Sequence, residues 1–236
     1  MEIKLLNSRY FLTMPEEYPC PYFKDGRICR VEFTFPLERT TDVYEWLLRE
    51  GYRRSSSVFY RNICPNCREC IPIRLKAELF KPSKSQRRSI DSNWDIKIEY
   101  TLSSIDEKKK KIFERYISEI HHRPIEPSLQ NEMEHIHYGF DATLEMDYYL
   151  EGNLVGVGII DVCEHSLSSV YFYYNPDLRK KALGVFSIIK EIETCKKLKK
   201  EYYYLGYYIA SVKKMSYKKA FRPYELLIDG KWTQVK

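Results

Sequence analysis

The stretch from Thr143 to Tyr208 constrains the fold of this chain more than any other. Leu144 to Leu150, Leu154 to Val162 and Leu167 to Tyr174 read as three successive strands. Glu151-Gly152-Asn153 supplies a hairpin signal between the first two, and Asn175-Pro176 stops the third. Leu183, Phe186, Ile189, Ile192 and Cys195 then recur at helical spacing. Tyr202 to Tyr208 returns to a strand, which carries Gly206. A meander of strands, one helix and a further strand point to an α+β fold with a mixed sheet.

Upstream the pattern is less regular. Residues 1–40 hold Pro15, Pro19, Pro21 and Pro36 and read as irregular, apart from a strand over Arg27 to Phe35. Asp42 caps a helix, Val43 to Glu50, that Gly51 ends, and Tyr52 to Arg61 reads as one strand. Further strands are expected over Ile71 to Phe80 and Ile96 to Leu102. Asp106 opens a helix whose stripe is Ile112, Phe113, Tyr116, Ile117 and Ile120, with Lys108 to Lys111 as its solvated start. His121 to Glu126 read as a loop and Leu129 to Tyr138 as a helix, on which His135 and His137 share no face and make a poor metal pair. Tyr224 to Ile228 is the last expected strand. With 236 residues there is room for one large or two small domains, and a composition shift places the expected boundary between 1–105 and 106–236.

Thirty residues, Tyr60 to Ser89, concentrate unusual chemistry. Cys64, Cys67 and Cys70 stand three apart, and such spacing lets thiolates converge on one ion. They supply three of the four ligands of a zinc or iron–sulfur site, with Cys20 or Cys29 as the fourth; free reduced thiols are the alternative. The set Cys20, Cys64, Cys67 and Cys70 is the expected metal site. Ser83 is placed to cap a short helix from Lys84, whose free N–H groups, with Arg87 and Arg88, suit an anion.

Composition excludes little. No apolar run approaches the roughly 18 residues of a spanning helix, and the start lacks the apolar segment of a signal peptide. Seven clustered cysteines without a secretion signal read as reduced or metal-bound in the cytoplasm. A net charge of +6 fits a lysine-rich surface as well as an RNA partner, and 21 tyrosines interleaved with basic residues add a hint of RNA.

The order of these segments resembles a known family. Cys20-Pro-Tyr-Phe, Gly51-Tyr-Arg-Arg-Ser55, Tyr60 to Arg74, Phe80 to Arg88, Gly156-Val-Gly-Ile-Ile-Asp161, Ser168 to Pro176, Leu205-Gly-Tyr-Tyr-Ile209 and Met215 to Leu227 are similar to the bacterial aminoacyl-tRNA–protein transferases of the arginyl and leucyl branch. The resemblance covers nearly the whole chain. It implies an N-acetyltransferase-like (GNAT) domain behind a cysteine-containing N-terminal region. It implies transfer of leucine from aminoacyl-tRNA to proteins beginning with Asp or Glu, which marks them for degradation by the N-degron route. Arginine as donor is the alternative. Two positions depart from the relatives: Phe23 stands where eukaryotic members carry a second cysteine, and His121-His122-Arg123 replaces an Arg-His pair.

That reaction joins an amino acid's ester on tRNA to an α-amino group whose pKa is roughly 7.7–8.0. Positioning and oxyanion stabilisation supply most of the rate, and no cofactor is required. Asp161 is the expected carboxylate that orients the amine, with Ser169 and Tyr173 beside it as the other catalytic candidates. Arg74, Arg87 and Arg88 are candidates for the acceptor's carboxylate. Tyr171, Tyr173, Tyr207 and Tyr208 are candidates for stacking on the single-stranded tRNA end. Lys84, Lys213, Lys214, Lys218 and Lys219 are expected to meet tRNA phosphates. A non-catalytic, metal-stabilised tRNA-binding module is the competing class. An acyl-CoA enzyme is disfavoured, because residues 177–184 read Asp-Leu-Arg-Lys-Lys-Ala-Leu-Gly and lack a glycine-rich phosphate turn.

Overall fold

A computed structural model describes residues 2–6 and 9–235, arranged around two sheets. β1 (Glu2–Leu6), β2 (Arg9–Pro19), β3 (Ile28–Pro36), β4 (Arg53–Ser55) and β5 (Val58–Asn62) form the smaller, in the order β1-β2-β3-β5-β4, antiparallel throughout. The first forty residues are therefore not irregular. β1 covers β2 only as far as Thr13, so Pro15 and Pro19 lie where β2 pairs on one side only. Proline is tolerated there, because a missing N–H costs least on an open edge. The single strand expected over Tyr52 to Arg61 is a hairpin, turned at Ser56 with φ +53°. Between β3 and β4, α1 (Thr41–Arg49) buries Val43, Tyr44, Leu47 and Leu48 against Phe11, Phe59 and Tyr204.

The larger sheet contains β6 (Ile71–Lys76), β7 (Lys97–Leu102), β8 (Thr143–Leu150), β9 (Asn153–Val162), β10 (Ser166–Tyr174), β11 (Tyr202–Tyr208), β12 (Tyr224–Ile228) and β13 (Lys231–Val235). Its order is β13-β12-β6-β11-β10-β9-β8-β7, and β10 with β11 is its parallel pair. β6 ends at Lys76, short of the strand expected to Phe80, where Ala77 donates to the Glu201 carbonyl at 2.9 Å and begins a 3-10 turn. β13 follows the strand expected to be last. Asp229 and Gly230, at φ +47° and +75°, form the tight turn that leads into it. A boundary at residue 105 cuts this sheet, since β6 and β7 precede it and pair with strands that follow it. The chain changes sheet between Asn62 and Ile71, within the cysteine loop.

Helices cover both faces of the larger sheet. α2 (Lys84–Asp91) packs on α5 (Leu183–Lys197), whose Leu183, Phe186, Ile189, Ile192 and Cys195 share a core with Ile73, Leu75, Ile160 and Tyr203. α3 (Glu107–Glu119) and α4 (Ser128–His137) bury Phe113, Ile117, Leu129 and Met133 against Val157, Ile159 and Tyr173. Two of the three expected caps form: the Ser83 hydroxyl accepts from Gln86 N and an Asp106 carboxylate oxygen accepts from Lys109 N, whereas α1 starts at Thr41 behind Thr40 and holds Asp42 within its first turn. The lysine run opening α3 is not wholly solvated. Lys109 is 3% exposed and lies between Glu145 and Asp147, with its Nζ 3.2 Å from Asp147. Among the described residues no helix is long and apolar enough to cross a membrane.

Candidate active site

β10 and β11 pair only over Ser166–Ser168 and Tyr202–Tyr204. Beyond that each register slips by one residue, at Val170 and at Leu205, and the strands part. A cavity of about 370 Å³ opens in the gap, walled by both strands, α5, the end of α3 and the Lys214–Lys218 turn. Gly206 keeps it open. Its φ is +88°, and a Cβ there would stand 3.3 Å from Arg53 Cζ and 3.4 Å from Lys218 Nζ.

Arg53 reaches in from β4, donating to the Ser169 carbonyl at 2.6 Å and the Ser168 hydroxyl at 3.3 Å. Lys218 is 8% exposed and donates to the Tyr207 carbonyl at 2.7 Å. Burial, with the Arg53 charge beside it, brings its ammonium down to about 7. Glu191 of α5 lies at the floor, fully buried, its Oε2 accepting from the Tyr203 hydroxyl at 2.8 Å. Burial raises this carboxyl to about 7. Tyr116 and Tyr171 form an aromatic wall, rings 6.4 Å apart at 84°, and burial raises both phenols. His121 is held below its usual value by burial, then by Lys214.

Of the residues expected from sequence, Ser169, Tyr171, Tyr207, Lys214 and Lys218 meet in this cavity. Others lie elsewhere. Asp161 is 0% exposed and off the cavity; Arg54 holds both its oxygens, at 2.7 and 2.9 Å, and Tyr44 and Thr143 donate to them at 2.6 Å each. It ties β9 to β4, with two donors already on each of its oxygens. Tyr173 is equally buried, 3.0 Å from His137 Nε2. Arg74 is bound by Glu225 at 2.7 Å and stacks on Tyr202 and Trp232 at 3.8 and 4.2 Å. Tyr208 packs against Tyr224. Lys84, Arg87 and Arg88 are exposed along α2, away from the cavity, while Lys213 and Lys219 are exposed next in sequence to its lining residues Lys214 and Lys218.

Arg53 and Glu191 were not legible as site residues. Arg53 reads as a strand residue of the N-terminal region. Glu191 carries a local signal, since Gly184, Ser187, Ile188 and Glu191 form one helical stripe on the cavity side of α5. A charge within a stripe that buries Ile188 is the mark of a partner or a site.

The cysteine loop borders a neighbouring cavity of about 550 Å³, lined by Cys64, Cys67, Cys70, Arg61 and Arg68, and separated from the first by Tyr207. Cys64 Sγ lies 3.9 Å from Cys29 Sγ, near one edge of a tetrahedral sulfur site. Cys67 instead accepts from Arg27 at 3.5 Å, and burial raises Cys70 to about 12. Among the described residues no group of three or more His, Cys, Asp or Glu is arranged to hold a metal. Cys20, Cys29, Cys64 and Cys67 nevertheless all lie near enough to Cys70 to act on its thiol.

Among solved structures, a conserved protein of unknown function from Bacteroides thetaiotaomicron shares the fold, with a TM-score of 0.52 at 8% identity over 89% of this chain and 82% of that one. The aspartate/glutamate leucyltransferase of Teredinibacter turnerae is 32% identical over 98% of this chain and 96% of its own length. That of Shewanella putrefaciens is 36% identical over 91% and 92%. Family models of the arginine-tRNA-protein transferase N terminus and C terminus match residues 18–88 and 108–228. On these two family models and on relatives more than 30% identical along nearly its whole length, this chain belongs to the arginine-tRNA-protein transferase family.

Proposed function

We propose that the cavity between β10 and β11 transfers leucine from aminoacyl-tRNA to the α-amino group of proteins that begin with Asp or Glu, in the cytoplasm, as a degradation mark. The observation that carries this reading is the pair of cations, Arg53 and Lys218, side by side in a cavity walled by tyrosines. A buried lysine beside an arginine calls for an anion, and an acceptor's side-chain carboxylate supplies it. Arg53 and Lys218 thus take the role expected of Arg74, Arg87 and Arg88. Tyr116, Tyr171 and Tyr207 offer faces and edges to the aminoacylated end of the tRNA. Lys84, Lys213, Lys214 and Lys219 are exposed and suit its phosphates, which makes binding salt-dependent. Ser169 stands on the β10 bulge at the cavity wall.

The ester is already activated, so the protein's work is to place the amine against the carbonyl carbon and exclude water. The test is a donor competition. Purified protein is incubated with Leu-tRNA, Arg-tRNA and a peptide starting with Asp, and the product is weighed. A mass gain of one leucine residue is expected. A gain of arginine would replace the donor, and tRNA binding without any transfer would leave only a binding module. Metal analysis of the same preparation tests whether the cysteine loop, as its spacing leads one to expect, holds zinc or an iron–sulfur cluster.

A further inference from the structure

We propose that Glu191 binds the acceptor's α-ammonium at the cavity floor and takes its proton before the amine attacks the aminoacyl ester; this rests on the transfer reading above. Among the described residues that line the cavity, Glu191 is the one carboxylate. It is 0% exposed, its Oε2 is held by the Tyr203 hydroxyl at 2.8 Å, and its Oε1 makes no fully formed hydrogen bond among the described residues, although the Ser169 side chain is near enough to act on the carboxyl as a second donor. A buried carboxylate oxygen without a donor is costly unless a ligand supplies one. The Ser169 side chain lies beside it, on the bulge where β10 leaves β11.

An acceptor that begins with Asp or Glu brings two charges, a side-chain carboxylate and an α-ammonium. The cavity offers the complement of both: Arg53 and Lys218 for the first, Glu191 for the second. Glu191 is carried on α5, whose core stripe fixes it, while the amine's orientation follows from the Tyr203 clamp. The carboxyl titrates at about 7, close to the roughly 7.7–8.0 of an α-amino group, so the proton passes between nearly matched partners.

The step balances. The ammonium N–H bond breaks and its proton moves to Glu191, leaving a neutral amine. The amine nitrogen bonds to the ester carbonyl carbon, the carbon–oxygen bond to the ribose breaks, and the second amine proton goes to the leaving ribose oxygen. The proton on Glu191 passes to solvent when the product leaves. Arg53, Tyr203, Tyr217 and Tyr148 are the charged or titratable groups that face Glu191, with Lys218 across the same cavity. Lys218 titrates in the same range, so the informative quantity is the ratio of variant to wild type at each pH.

The test compares wild type and Glu191→Gln under saturating Leu-tRNA, with an Asp-initiated peptide, at pH 7 and pH 9. The amide keeps the shape and the acceptor for Tyr203 but takes no proton. At pH 7 the variant's kcat is expected to be about 100-fold lower, within the usual range for general-base loss. At pH 9 solvent delivers neutral amine, and the deficit is expected to shrink to about 10-fold or less. Equal transfer by wild type and variant at pH 7 overturns the assignment while the transfer reading stands. A deficit identical at both pH values reduces Glu191 to a packing role and overturns it too. No transfer by the wild type overturns the transfer reading and this assignment together. A thermal melt of each protein confirms that only folded molecules are compared.

Discussion

Replacing Arg54 with methionine is expected to destabilise the folded protein by about 3–5 kcal/mol, because it strands a buried carboxylate. The side chains of Arg54 and Asp161 are 1% and 0% exposed, and their forked contact joins the small sheet to the large one. Tyr44 and Thr143 complete the shell around Asp161 and cannot replace a cation. A urea titration should show a lower midpoint with an unchanged slope. Asp161→Asn should lose stability in the same sense, with transfer per folded molecule retained. The double variant Arg54→Met/Asp161→Leu should regain a good part of the loss, since paired replacement leaves no orphan charge. A cost under about 1 kcal/mol for Arg54→Met would mean that water reaches the pair and that the sheets are not tied there.

Lys218→Met is expected to raise the KM for an Asp-initiated acceptor by about 30-fold or more, the usual scale for removing one partner of a desolvated charge pair. The KM for aminoacyl-tRNA should stay put, because Lys218 is buried inside the cavity and is not one of the exposed lysines proposed to meet tRNA phosphates. The wild type should also show a pH signature. Burial and Arg53 hold Lys218 down to about 7 in the free protein, and a bound carboxylate restores its charge by opposing that shift. Acceptor binding therefore takes up a proton above about pH 7, and KM rises with pH there, while Lys218→Met is weak throughout. The same depression has a sign for stability. The folded base titrates at about 7 against an ordinary 10.5, so the burial penalty is full below pH 7 and fades as pH approaches 10.5. Lys218→Met should therefore melt higher than wild type at pH 6–7, with the gain vanishing in alkali. An unchanged acceptor KM would remove Lys218 from the acceptor's binding site.

The strand–strand–strand–helix–strand order of β8 to α5 and β11, the caps at Ser83 and Asp106 and the family itself were all determined by the sequence alone. Each rests on local information: turn residues, helical periodicity or a motif read within a few positions. β13 escaped the sequence reading, since the strand beyond the Asp229-Gly230 turn is short and polar. The tertiary structure decided the rest. Pro15 and Pro19 read as breakers until β2 is seen to be half uncovered. β6 enters the larger sheet between β11 and β12, which no local pattern announces. Asp161 looks like a strand-end carboxylate open to a substrate, but Arg54, 107 positions away, consumes it. Lys218 looks like one more surface lysine until the splay of β10 from β11 buries it beside Arg53. The physical reason is common to all four. A side chain's charge, solvation and remaining hydrogen-bond capacity depend on neighbours that only chain folding brings within a few ångströms, and sequence separation carries no record of them.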